Sequence, residues 1–203
     1  LVNNIIDISK MDYGYYNIEL GNYNIISVVE DITMSILEYV NNKGIELIFD
    51  TESEEEIIAC DPDKIERIIL NLLSNAIKFT EPGGKIEVSI FADETWVDIR
   101  VKDTGIGIPS HMKEFIFERF IQNDKSLNRN KEGSGIGLSL VKSLVELHEG
   151  KVFLRESNES GSEFSILLPN VKLENDVCEN GSLDYKTEVE KISIEFADIY
   201  EIY

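Results

Sequence analysis

Asn71 and Asn75 lie four residues apart, and Lys64, Arg67, Ser74 and Lys78 fall on the same helical stripe. Spacings of three and four put these side chains on one side of a helix. The stripe carries amides and cations but no carboxylate, in a chain of 203 residues with formal net charge −20. A solvated face in so acidic a chain would draw Asp and Glu, so the composition points to a surface that meets an anion. Asn75 suits a Mg²⁺ ion held mainly by phosphates, because its amide oxygen is a hard donor that adds no negative charge. An ordinary amphipathic helix explains the same residues, and the helix alone does not decide between the two.

Two glycine segments downstream favour the first reading. Asp103 opens DTGIGIP, where Gly105 and Gly107 let backbone approach a ligand closely. A buried Asp there can accept hydrogen bonds from an exocyclic amine, and such a group discriminates strongly because leaving it unpaired is costly. A plain Asp-Gly turn is the competing explanation. The second segment is Gly133, Ser134, Gly135, Ile136, Gly137 and Leu138, running into a helix with Leu138, Val141, Leu144 and Val145 in period. Main-chain N–H groups at a helix start, with the helix dipole behind them, form an anion site. This is neither the dinucleotide fingerprint, which opens a βαβ unit, nor a P-loop, which ends in Gly-Lys-Ser/Thr. A flexible glycine linker is the bland alternative.

These residues need elements to position them. Residues 61–80 (DPDKIERIILNLLSNAIKFT) predict the central helix. Asp61 can cap it, and Pro62 suits its first turn, where a missing N–H costs nothing. Ile65, Ile68, Ile69, Leu72, Leu73, Ala76 and Ile77 form its buried face. Before it, periodicity predicts the last turns of a helix over 1–13, a strand at 17–20, and a helix over 25–42. That helix has Val28, Val29, Ile32, Ile36, Leu37 and Val40 inward. Strands are expected at 45–50 and 57–60. After it come a turn at 81–84, strands at 85–92 and 95–102, and a short helix at 111–120. The helix of the second glycine segment then ends at Gly150, and strands at 151–156 and 162–168 follow.

With 42% hydrophobic and 29% charged residues, the chain can bury a real core as one domain with attached pieces. Its acidity argues against nucleic acid or anionic membrane as a partner, since both need basic patches. Cys60 and Cys178 fit no metal-ligand spacing and read as isolated thiols of a reducing cytosol. No apolar run approaches the roughly 18 residues a membrane helix needs. A chain opening on Leu1 reads as a piece of a longer protein.

NLLSNAIKFT, DTGIGIP, FERF and GSGIGL, in that order, resemble the four boxes of the ATP-binding catalytic domain of bacterial sensor histidine kinases. That domain belongs to the superfamily shared with topoisomerase, chaperone and mismatch-repair ATPases. The resemblance covers about residues 1–169. It implies an α+β fold, a two-layer α/β sandwich of the Bergerat type, with a mixed, mostly antiparallel sheet covered on one face by three helices. Residues 1–13 would be the end of the second dimerisation and phosphoacceptor helix, and 14–170 the catalytic domain.

The resemblance implies Mg²⁺ and ATP as cofactors. Asn75 would be the Mg²⁺ ligand, with Asn71 and Lys78 beside the phosphates and Phe79 next to them. Asp103 would bind the adenine amine, with Gly105, Gly107 and Ile108 shaping the base pocket. Phe117 and Phe120 would anchor a lid over 121–134. Gly133, Ser134, Gly135, Ile136 and Gly137 would face the phosphates, and Leu138 would pack beneath. The implied partners are the phosphoacceptor dimerisation helices of the same protein and a response regulator. The parent is then expected to be a homodimer and membrane-attached, and this piece a cytoplasmic monomer.

The sequence departs from that family in three places. Ile121 and Gln122 stand where relatives often carry a lid Arg, so Arg119, Lys125, Arg129 or Lys131 would have to serve. Phe79 replaces a common Tyr. No phosphoacceptor histidine segment is present: His148, at a helix end, reads as structural and His111 as a surface residue. A regulatory pseudokinase module and a serine kinase of the anti-sigma type share the same boxes. Residues 171–203 lie beyond the family domain, with loop composition to 186 and a period-two strand pattern at 189–197.

Overall fold

The computed structural model describes residues 7, 9–11, 13, 15–119, 135–158 and 160–174. Among them a five-stranded sheet runs in the order β2 (Glu46–Thr51), β4 (Lys85–Ala92), β5 (Trp96–Asp103), β7 (Gly161–Pro169), β6 (Lys151–Asn158). Only the β2–β4 pair is parallel. A separate antiparallel pair joins β1 (Gly21–Asn24) to β3 (Ile57–Cys60). Among the described residues four bounded helices accompany them, after helical residues at 7 and 9–11: α1 (Ile25–Ser35), α2 (Leu37–Asn42), α3 (Pro62–Phe79) and α4 (Gly137–Leu147). The α+β class, the mixed sheet and its helical layer are as expected. The strand pattern at 189–197 lies outside the described residues.

Alternation along the strands turns Ile86, Val88, Ile90, Val97, Ile99, Val101, Phe164, Ile166 and Leu168 into the core. The opposite face is charged and aromatic. Arg100 lies over the Phe91 ring and Lys151 over Trp96, while Asp98 takes Arg100 at 2.8 Å and Arg155 at 3.4 Å.

Helix α3 lies at the centre of the helical layer, in contact with both α1 and α4. Every apolar residue assigned to its inner face is buried, and Leu70 with them. Both ends are pinned. The Asp61 carboxylate accepts the Lys64 N–H (3.3 Å) and the Glu19 N–H (2.9 Å). At the other end Lys43 Nζ donates to the carbonyls of Ile77 and Lys78, which the helix itself leaves without partners.

The structure corrects four expectations. The first strand is residues 21–24, not 17–20: pairing with β3 decides it, and Gly21 lies opposite Cys60. The helix expected over 25–42 breaks at Ile36, whose side chain is fully buried at φ −96°, ψ 4°. Thr33 and Ser35 hydroxyls donate back to the Val29 and Ile32 carbonyls at 2.7 and 2.6 Å, which bends helices. The break turns Leu37 outward, 42% exposed. Residues 111–119 form successive turns rather than a helix, closed by N–H bonds from Met112, Phe115 and Glu118 to carbonyls three residues earlier. Ile116 is buried there, and Phe117 meets Phe164 edge-on at 6.2 Å.

Cys60 is free and buried, its thiol pushed up to about 12 mainly by desolvation. His148 joins the two site helices. Its Nδ1 lies 2.8 Å from the Leu144 carbonyl, and its Nε2 accepts the Asp61 N–H at 3.1 Å. A carbonyl can only accept and an amide N–H only donate, so the ring is neutral with its proton on Nδ1. Burial lowers its pKa below the ordinary 6.5. The unfolded chain therefore takes up a proton that the folded one resists. The stability this tie contributes is complete above pH 6.5, declines as pH falls below it, and levels off beneath the folded pKa. Urea unfolding across that range should show the decline. His148→Ala should cost about 1–3 kcal/mol at pH 7.5 and remove that part of the pH slope.

Candidate functional site

The two sequence segments singled out for an anion meet at one contact. Asn71, 5% exposed, donates from Nδ2 to the Arg67 carbonyl at 2.8 Å. A Cβ built on Gly137 would lie 2.7 Å from Asn71 Oδ1. Gly137 opens α4, and among the described residues no side-chain cap bond is made at its N-cap, Ile136. Ile136 is buried and Leu138 packs against the core, while Gly135 takes φ 67°, a backbone region where glycine is at ease. Asn75 stands one turn beyond Asn71 on the same face, partly exposed. Lys78, nearly buried, places Nζ 5.8 Å from the Phe79 ring centroid.

Two cations of the stripe do other work. Arg67 Nη1 bonds Asp7 Oδ2 at 2.7 Å and the Tyr16 hydroxyl at 2.9 Å. Lys64 lies 3.5 Å from Asp61 and over the Tyr16 ring. The carboxylates missing from the helix face are thus supplied by the segment before it. Of the stripe, Asn71 meets the glycine segment, at Gly137.

Asp103 ends β5 with its carboxylate 8% exposed. Desolvation raises its pKa above the ordinary 3.8, against the lowering effect of N–H bonds from Gly105 and Ser162. Gly105 is pressed on the end of α3, where a Cβ would lie 2.5 Å from the Phe79 carbonyl; Ile106 N–H donates to that carbonyl at 3.3 Å. Gly107, at φ 67°, leaves no room either, since its Cβ would fall 1.8 Å from the Asn158 carbonyl. These glycines admit neighbouring protein backbone, which alone requires the absence of a side chain at both positions. They bring Asp103 next to the Lys78–Phe79 end of the asparagine helix.

Three residues that sequence reasoning passed over complete the pocket. Ser162 pairs with Asp103 across β5–β7. Ser157 Oγ accepts the Ile108 N–H at 2.7 Å and lies 3.1 Å from Ser162 Oγ. Gly161, at φ 132°, has the Asp103 carbonyl 1.9 Å from its Cβ position. The only signal in the sequence was a pair of serines in a hairpin, which carries no chemistry until the sheet places it. Phe120, Gly133, Ser134 and the lid at 121–134 lie outside the described residues. Among the described residues no cluster of His, Cys, Asp and Glu could hold a metal, and no helix is long and apolar enough to cross a membrane.

Comparison with known proteins agrees with this geometry. The family described as histidine kinase-, DNA gyrase B-, and HSP90-like ATPase matches residues 60–172. Histidine kinase P4 of Formosa agariphila is 36% identical over 173 residues, covering 83% of this chain and 13% of that protein. The chain thus spans about an eighth of that relative's length. The full-length ShkA structure with AMPPNP superimposes with a TM-score of 0.75 at 27% identity, over 85% of this chain and 35% of that one. The catalytic domain of histidine kinase ThkA gives 0.68 at 27% identity, over 76% of this chain and 99% of that one. With its asparagine helix, its Asp103 loop and its uncapped glycine helix start in one place, this chain belongs to the histidine kinase-, DNA gyrase B-, and HSP90-like ATPase family.

Proposed function

We propose that this chain binds Mg-ATP and passes the γ-phosphoryl group to a histidine on dimerisation helices of its own parent protein, as the catalytic part of a two-component sensor histidine kinase. The approach of Gly137 to Asn71 Oδ1 carries the reading, because it sets an uncapped helix start against a neutral amide face. Phosphate oxygens would take the main-chain N–H groups at the start of α4. The donor set fits Mg²⁺: a partly exposed amide at Asn75, with no carboxylate cluster beside it, suits an ion that brings its own phosphate ligands. When bound, the ion would neutralise charge on the phosphates. Lys78 adds a cation at the same end of α3, and Asp103 takes the exocyclic amine of the base.

Such transfer asks the protein mainly for positioning and charge stabilisation. Neither described histidine suits the acceptor role: His148 is buried with both ring nitrogens engaged, and His111 lies on the surface away from the asparagine face. The acceptor helices of the parent and a response regulator are the partners this reading requires.

Titration of the chain with ATP, with and without Mg²⁺, tests it. Asn75→Ala should abolish the Mg²⁺ dependence of affinity. Asp103→Ala should weaken ATP binding about 10- to 100-fold, the scale of a charge-assisted hydrogen bond. ATP affinity unmoved by both variants would favour a regulatory module without catalysis. Gly137→Ala should displace Asn71 and weaken the triphosphate more than adenosine, read by the same titration.

The raised Asp103 carboxyl has a separate signature in the nucleotide-free protein. Because its folded pKa lies above the unfolded 3.8, ionisation destabilises the fold as pH rises through that window. Asp103→Asn should therefore raise the thermal midpoint at pH 7.5, with the gain shrinking toward pH 4, while ATP binding weakens.

A further inference from the structure

Beyond Thr104, whose N–H donates to the Lys85 carbonyl at 3.0 Å, the loop from Asp103 to Pro109 is tied to other elements at two places. At one, Ile106 N–H donates to the Phe79 carbonyl at the end of α3. At the other, Ile108 N–H donates to Ser157 Oγ at 2.7 Å. Between them Gly107 sits in a left-handed conformation, flush against the Asn158 carbonyl. Ser157 is itself fixed: 7% exposed, on the last turn of β6, its carbonyl accepting Lys113 Nζ at 2.5 Å. The Ser157 hydroxyl is thus the second tether of the loop.

The same hydroxyl has a second consequence. The Ile108 N–H occupies one lone pair of Ser157 Oγ, and the two hydroxyls of Ser157 and Ser162 share a hydrogen bond at 3.1 Å in which either can donate. Ser162, 6% exposed, faces Asp103 directly across the β5–β7 pair. Residues so paired in an antiparallel sheet project from the same face. Ser157 therefore holds the loop whose Gly105 N–H donates to Asp103 Oδ1 at 2.8 Å, and it touches the hydroxyl of the residue paired with Asp103.

We propose that Ser157 is a positioning residue for nucleobase recognition, holding the Asp103 loop stiff enough to distinguish a 6-amino purine from a 6-oxo purine. The proposal rests on the ATP reading above. An adenine amine donates to Asp103, whereas a guanine carbonyl would face the carboxylate with like partial charge. That mismatch stays costly only while the loop keeps the Gly105 N–H on Asp103 Oδ1 and the carboxylate cannot turn away. A loosened loop loses part of the adenine bond and relieves part of the guanine clash.

The test compares Ser157→Thr with Ser157→Val in the full chain, two side chains of nearly equal shape that differ by the hydroxyl, with Ser157→Ala beside them. ATP and GTP are titrated separately in the presence of Mg²⁺, and hydrogen exchange is followed at the Ile108 amide. The Val and Ala variants should lose about tenfold in ATP affinity and little in GTP affinity, so that the ATP-to-GTP ratio falls about tenfold. Ile108 exchange should quicken, and the Thr variant should restore both readouts to within about twofold. Equal loss for both nucleotides, or an unchanged ratio with a lower thermal midpoint, would show a purely structural serine and overturn the proposal. If Ala does not fold, the Thr–Val pair decides. Absence of ATP binding in the unaltered chain would sink the underlying reading instead, which separates the two failures.

Discussion

The site depends on a side chain that is not there. At Gly137 even a methyl group would come within 2.7 Å of Asn71 Oδ1, so α4 starts directly against the polar stripe of α3. A side chain there would displace the Asn71 amide from the helix start. The contact also needs α3 and α4 to be held at a fixed separation, and side-chain packing alone tolerates small sliding. His148 supplies the missing constraint. Its ring bridges the end of α4 to the main-chain N–H that precedes α3, with a defined tautomer at each nitrogen. One hydrogen-bonded imidazole thus sets the spacing at the far end of both helices from the site.

The base side of the pocket is built by a different balance. Burial of Asp103 disfavours its charge, and the N–H bonds from Gly105 and Ser162 recover only part of that cost. A structure selected for stability alone would place a neutral residue here. The carboxylate is retained where its loop is clasped from both sides, by the Phe79 carbonyl on α3 and by Ser157 on β6. The rigidity therefore comes from backbone packed on backbone, at Gly105, Gly107 and Gly161, and not from large side chains.

What was legible in the sequence follows from the range of the interactions involved. Helix α3, its cap at Asp61 and its apolar face are local and periodic, and they stood where the pattern put them. The hairpin β4–β5 and the start of α4 were legible for the same reason. The first strand was misplaced because β1 exists by virtue of β3, more than thirty residues away. The break at Ile36 was hidden because the buried periodicity runs straight through it, and only the hydroxyls of Thr33 and Ser35 betray the bend. Ser157 and Ser162 were invisible as site residues because their meaning comes from the β5–β7 register. In DTGIGIP the glycines stood out in the sequence, but the close approach of the Phe79 and Asn158 carbonyls that they permit is set by the fold and could not be read there.

The cations of α3 show how composition misleads when a helix is considered apart from its chain. Arg67 and Lys64 looked like part of an anion surface because no acid shares their helix face. Asp7 and Asp61 provide the counter-charges from elsewhere in the sequence, with Tyr16 between them. Partly buried pairs of this kind contribute more through geometry than through net energy, since the desolvation cost offsets much of the attraction. Arg67 makes that geometry matter, because its carbonyl is also the acceptor for Asn71 Nδ2. The segment ahead of the domain therefore grips the very turn of α3 that orients Asn71 toward Gly137.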